Sequence, residues 1–241
     1  MILTAHQPVY LPWLGLFHKI ALSDVYCFFD DVQYLRRDWN NRNKIKTSNG
    51  DIWLTVPVLS KGHMEKSIKD VEINNTIDWR KKHWRAIYTS YKKAPYFSKY
   101  ADFFEELYRK EWYYLVELNE CMLKFFLDQL GINIKFIRQS ELNFKGYKSD
   151  LVLDMCKKLE ANAYIFGELG KNYADIKSFE REGIKLYFQE YNHPIYKQLW
   201  GEFISHISII DLLFNVGSER ALDIIMQGNV TQKELMNLLL K

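Results

Sequence analysis

Residues 1–30, MILTAHQPVYLPWLGLFHKIALSDVYCFFD, decide the fold class. The opening MILTAH is an apolar run of strand length. It ends where Pro8 and Pro12 forbid both a regular ladder and a helix. LGLFHKIAL, about Leu14 to Leu22, then spaces its apolar residues at the helical period. DVYCFFD is a second continuous apolar run bounded by acids, the pattern of a strand buried on both faces. Strand, loop, helix and strand within about thirty residues make a βαβ unit. Its loop leaves the carboxyl end of the first strand, where open parallel sheets bind ligands.

Outward from this unit, residues 31–50 (DVQYLRRDWNNRNKIKTSNG) are polar and turn-rich and read as a loop. Asn49-Gly50 marks a turn before IWLTVPV, which returns to strand character. From Asp78 to about Gly131 the pattern is helical, with Asp78 as N-cap and a break at Pro95. FFEELYRKEWYYLVELNECMLKFFLDQL reads as one long amphipathic helix ended by Gly131. Alternation then resumes: NIKFIR as strand, SDLVLDMCKKLE as helix, AYIFG as strand, the turn GELGKNYAD, and IKLYFQEY as strand. ISIIDLLFNVG, SERALDIIMQG and TQKELMNLLLK close the chain as helices, the last capped by Thr231. The expectation is an α/β fold with one parallel sheet built from both ends of the chain, residues 1–77 and 132–241. A helical insertion at 78–131 interrupts it, and helices follow at the C-terminus.

A net charge of +3 with acids and bases well mixed disfavours a duplex nucleic-acid binder, although a small phosphorylated ligand suits local clusters such as Arg36, Arg37, Arg42, Lys44 and Lys46. Cys27, Cys121 and Cys156 are too few and too far apart for a disulfide framework or structural zinc. With no apolar run long enough for a membrane span and no basic leader, the expected compartment is the cytoplasm.

His6 and Gln7 stand where a buried strand emerges into a proline-stiffened loop. An unperturbed histidine titrates near neutral pH, so His6 would serve as general base towards an amine, the plainer role being a bond to backbone that holds the loop. Asp30 and Asp31 end the second strand at the same edge, where they would orient His6 or hold ribose hydroxyls. No third ligand stands at a telling spacing, so no metal is assigned. Tyr10 and Trp13 offer rings and Lys19 an ammonium for phosphate, while His18 reads as interior. Gln33, Arg37, Trp39, Asn41, Arg42, Asn43 and Lys46 form the densest polar cluster: arginine forks for a diphosphate, amides for hydroxyls and an indole face. The plain alternative is a solvated loop. Gly167, Gly170 and Lys171 make a GxxGK turn without P-loop spacing; its amides would approach a phosphate, with Tyr173 and Asp175 completing the wall. His193, with Tyr191, Tyr196 and Gln198, follows the late strand. Ser208 and Asp211 open a helix and read as caps first, ligand contacts second. His63 and His83 receive no role.

The segments AHQPVYLPWLGLFHKIALSDVYCFFDDVQYLRRDWNNRNKI, WLTVPV, FGELGKNYAD, YNHPIYKQ and ISIIDLLFNVG, in that order, resemble the WbqC-like family over almost the whole length. The resemblance implies a place in O-antigen (lipopolysaccharide) biosynthesis and a transferase acting on a nucleotide-linked amino sugar. The implied reaction is N-acylation or aminoacylation, with acyl-CoA or a carrier-protein thioester as donor and an acyl carrier protein as a partner. A second resemblance concerns fold: the Rossmann-like layout of HIGH-type nucleotidylyltransferases, with His6, Gly15 and His18 at similar stations. That layout implies ATP and Mg²⁺, but HxGH requires a histidine where Leu16 stands. A sugar-nucleotide-binding protein without catalysis is a third reading. The C-terminal helix offers an apolar face to a second subunit.

Overall fold

A computed structural model describes residues 1–59 and 66–240; His63 lies outside them. The βαβ unit forms where the sequence places it, as β1 (Ile2–His6), α1 (Leu14–Ala21) and β2 (Val25–Phe28). Every residue of β2 is buried, as its unbroken apolar run requires. The later strands are β5 (Lys135–Arg138), β6 (Ala163–Phe166) and β7 (Lys185–Phe188), and all five pair in parallel in the order β5-β2-β1-β6-β7. Counted within the sheet alone, that is 3-2-1-4-5. The direction of winding therefore reverses between β1 and β6, and such a switch point leaves a crevice outside the strands' carboxyl ends.

Alternation along β2 divides the core. Tyr26 and Phe28 face a large apolar cluster, while Val25 and Cys27 face a smaller one with Leu3, Ala5, Met155, Cys156 and Phe179. The smaller cluster is covered by α5 (Ser149–Lys158) and by α6 (Ile176–Arg181), a short helix the sequence reading leaves inside a turn-to-strand stretch. On the large cluster lie α1, α2 (Trp79–Tyr91), α3 (Phe97–Arg109), α4 (Leu115–Gln129), α7 (Ile209–Val216) and α8 (Ser218–Met226). The helices of 78–131 thus share a core with α1 and the C-terminal helices. A last helix, α9 (Gln232–Leu239), buries Leu235 and is closed by a Thr231–Glu234 capping box.

Two expectations need correction. The supposed loop at 31–50 carries β3 (Arg42–Thr47), which pairs antiparallel with β4 (Gly50–Thr55) in a separate hairpin. Only Ile45 marks β3 as apolar, but Asn43 is buried with it and donates to Leu11 O at 2.6 Å, so a polar residue fills an inward position. Gly50, at φ 105°, supplies the turn. The single long helix is two helices. Between α3 and α4 the backbone leaves the helical path to pair with residues 71–73: Ile73 N–H donates to Tyr113 O and Leu115 N–H to Val71 O. Asp78 holds the N-cap position of α2 without a side-chain cap bond. Among the described residues, no helix is long and apolar enough to cross a membrane.

Candidate functional site at the carboxyl edge of the sheet

His6 closes β1 at the switch point, its ring half-buried. Its Nδ1 lies 2.8 Å from Gln7 O. A carbonyl only accepts, so Nδ1 carries the proton and Nε2 is left as an acceptor. Burial, then the positive charge of Lys19, pull its pKa down to about 3. The expected strong base is therefore a neutral imidazole in the free protein. Lys19 comes from the sheet-facing side of α1; it is buried, donates to Ala5 O at 3.0 Å, and burial lowers its pKa to about 7.

The two aspartates do not orient His6. Asp30 is buried and accepts from Ser140 N–H at 2.9 Å and from the Ser140 hydroxyl at 2.6 Å. Asp31 pairs with Lys69 at 2.9 Å and accepts from the Ser67 hydroxyl at 2.9 Å, and these bonds lower its pKa. Both carboxylates pin the crossing of β2 against distant segments. Tyr10, expected to touch substrate, is fully buried and bonds His83 Nδ1 at 2.8 Å and the Tyr108 hydroxyl at 2.5 Å. His83, to which the sequence reading gave nothing, is thus part of a core network.

The polar cluster divides in two. A pocket of about 230 Å³ is lined by Tyr34, Arg36, Arg37, Asn41, Arg42 and the β4 end from Thr55 to Val58. Arg37 has φ 60°, a left-handed conformation uncommon outside glycine, and its carbonyl accepts from Arg42 Nη2. Arg42 lies 4.5 Å from the Trp53 ring centroid, and Trp53 meets the exposed Trp39 at 5.3 Å. Arg42 Nε is buried without a hydrogen-bond partner among the described residues. The pocket joins the β1 loop directly: Asn40 Nδ2 donates to Pro8 O at 2.7 Å and to Gln7 Oε1 at 3.4 Å. Asn41, expected to offer its amide to substrate hydroxyls, donates from Nδ2 to Val56 O at 2.8 Å. Gln33 lies on the exposed approach and bridges to Ser67.

Asn43 and Lys46 are both buried, on opposite faces of β3. Lys46 Nζ donates to Gln198 Oε1 at 2.9 Å and to Glu202 O. Asp211 sits nearby, fully buried, among Tyr91, Tyr196, Gln198 and Lys46, and burial raises its pKa to about 6 against those partners. Ser208 accepts from Ile210 N–H as the cap of α7 and bridges to Trp13. Trp13 covers Gly15, where an added Cβ would lie 2.3 Å from the indole, and stacks on His206 with centroids 5.7 Å apart. His193 donates Nδ1–H to Pro194 O at 2.9 Å, and burial lowers its pKa.

On the far side of the switch point, Gly167 ends β6, and a Cβ there would meet nothing within 4 Å. Lys171 is exposed and paired with Glu190, and Tyr173 is exposed beside Phe166, so neither closes a wall over the crevice. A shallow depression of about 460 Å³ beside α9 holds one ionisable group, Glu234, which is spent on the Thr231 cap. Among the described residues no three His, Cys, Asp or Glu side chains group as a metal would need. Tyr34, Trp53 and His206 were absent from the expected site, and Arg36 was read only as part of a cluster suited to a phosphorylated ligand. The adjacent Arg36-Arg37 pair and the indole at the hairpin partner of Lys44 were the available signals.

An uncharacterized protein of Mycobacterium tuberculosis is 38% identical over 215 residues, covering 88% of this chain and 93% of its own length. No solved structure matches. The family model described as the WbqC-like protein family matches residues 7–222, which include the β1 loop, the arginine pocket and the cap of α7. The chain belongs to the WbqC-like protein family.

Proposed function

We propose that the chain is a transferase whose substrate carries phosphate, and that it acylates or aminoacylates the amino group of a nucleotide-linked sugar in surface-polysaccharide assembly. The observation that carries the phosphate half is the pocket of Arg36, Arg37 and Arg42. None of the three is ion-paired with a carboxylate among the described residues, and the Trp39–Trp53 pair beside them offers a face for a base or sugar. Guanidinium forks suit a diphosphate, and charge-assisted bonds to it are the strong ones. The acyl-transfer half draws its support from the family's association with surface-polysaccharide clusters.

In this reading the diphosphate lies in the arginine pocket and the sugar reaches the β1 edge along Gln7. The amine attacks the thioester carbonyl, the C–N bond forms and the C–S bond breaks. The amine's proton passes through His6 Nε2 to the departing thiolate. Cytoplasmic thioesters, on coenzyme A or a carrier protein, are the donor class.

One observation bears on the ATP-dependent alternative from each side. The strand order suits a nucleotidylyl-transfer fold. Yet His18 faces Val230 O at 2.9 Å through Nε2 and Gln189 at 2.8 Å through Nδ1, so both its nitrogens are engaged away from His6. A thermal-shift panel of nucleotide-linked amino sugars, ATP with Mg²⁺, and acyl-CoA separates the readings, because a ligand that binds only the folded state raises Tm. Stabilisation by the amino-sugar nucleotide, weakened in Arg42→Ala, is the expected result. A response to ATP alone, with pyrophosphate release, would replace it, and stabilisation without turnover on any donor would leave a binding protein.

A further inference from the structure

The carboxyl edge of β1 holds an ammonium group that the arginine pocket does not use. Lys19 is 3% exposed, and its Nζ makes one hydrogen bond, to Ala5 O at 3.0 Å. An ammonium has three protons, so two remain to be given. Among the described residues no carboxylate lies within ion-pairing distance, and nothing offsets the burial that depresses the charge. A buried charge without a counter-ion is costly, and an apolar side chain of the same length would avoid the cost. Beside it, His6 points an unprotonated Nε2 away from its Gln7 bond, and its ring is reached from solvent. Across the switch point, the position of Gly167 faces open space.

We infer that Lys19 and His6 form an anion site of their own at the switch point between β1 and β6, taking a phosphate or carboxylate group separate from any held by the arginines. The two free N–H groups of Lys19 donate to the anion. The anion's charge counters that of Lys19 and acts against the burial that keeps the imidazole neutral, favouring a proton on Nε2 whose N–H donates to the anion as well. The site therefore binds anion and proton together. This assignment stands whether or not the arginine pocket holds a diphosphate.

The full chain, with labelled histidine, tests it by NMR. The His6 ring signal is assigned by its loss in His6→Ala, and is then followed during titration with inorganic phosphate and, separately, with acetate. Phosphate moving the signal towards the protonated form makes phosphate the ligand class; acetate doing so alone makes it carboxylate. The response is expected to vanish in Lys19→Met and to persist in Arg37→Ala. A His6 signal unmoved by either anion, or a full response in Lys19→Met, would overturn the proposal. The melting temperature provides a second readout. Lys19→Met is expected to raise Tm of the free protein, whereas a fall would assign the lysine to holding the Ala5 carbonyl and sink the anion site.

Discussion

Two places on this molecule concentrate positive charge, and they do so in opposite ways. At the hairpin, Arg36 and Arg37 stand in water, with Arg42 partly covered by Trp53. At the switch point, Lys19 is buried between the sheet and α1, and among the described residues its ammonium bonds one carbonyl, that of Ala5. Solvated guanidinium groups cost the fold little and are screened by salt. A desolvated ammonium costs the fold a great deal and is screened hardly at all. The fold therefore bears a desolvation cost at the strand edge and almost none at the hairpin.

The sharpest way to break this contrast is to follow stability with pH. The pKa of Lys19 falls from 10.5 to about 7 on folding. Between those values the unfolded chain binds the extra proton, so stability rises with pH across that window, and the cost is fully present below about 7. The shift corresponds to on the order of 5 kcal/mol. Urea titrations of the wild type and Lys19→Met should diverge most at neutral and lower pH and converge towards pH 10.5. Parallel curves across that range would mean that the lysine is solvated after all.

Asp211 gives the same test with the opposite sign. Its pKa rises from 3.8 to about 6, so the folded chain holds the extra proton in between. Stability therefore falls as pH rises through that window, and the cost is complete above about 6. Asp211→Asn should gain up to on the order of 3 kcal/mol above that pH and little below 3.8.

The distinction between these regions was partly legible in the sequence. The βαβ unit was, because unbroken apolar runs of strand length and a proline-bounded loop leave few alternatives. The place of His6 and of the arginine cluster after strand ends was legible as well. What the sequence hid were facts of long-range pairing. Lys19 follows His18 on a helix, and nothing local says which of the two faces the sheet. Both are buried, one against Ala5 and the other against Gln189 and Val230. Asp30 and Asp31 looked like a catalytic pair because Ser140 and Lys69, which engage them, lie far along the chain. β3 was hidden because two of its buried positions, on opposite faces, are filled by Asn43 and Lys46, whose partners are Leu11 and Gln198.

Trp13 packs against Tyr191 and His206 near the start of α1, and Gly15 sets its position. A Cβ at residue 15 would fall within 2.6 Å of three indole atoms, so Gly15→Ala must push the ring off its contacts with Tyr191 and His206. Overpacking of this kind costs about 1–3 kcal/mol. Tryptophan fluorescence of the variant should shift to the red while the His6 response to phosphate remains. Loss of that response would show that the Trp13 packing and the switch-point site are one unit.

The smallest effect on the fold, and the most telling for the hairpin, is expected from Arg42→Ala. The guanidinium bonds the Arg37 carbonyl and covers Trp53, both at the surface, so stability should change by about 0.5–1 kcal/mol. Binding should change more. Each charge-assisted hydrogen bond contributes about 1.5–3 kcal/mol, so affinity for pyrophosphate should fall by roughly tenfold or more at low salt. Because the pocket is open to solvent, that difference should shrink as salt rises. Phosphate binding read at His6 should persist at the same salt, since its cation is enclosed. If both responses decay together with ionic strength, the two places share one solvent-exposed field and the contrast drawn between them is gone.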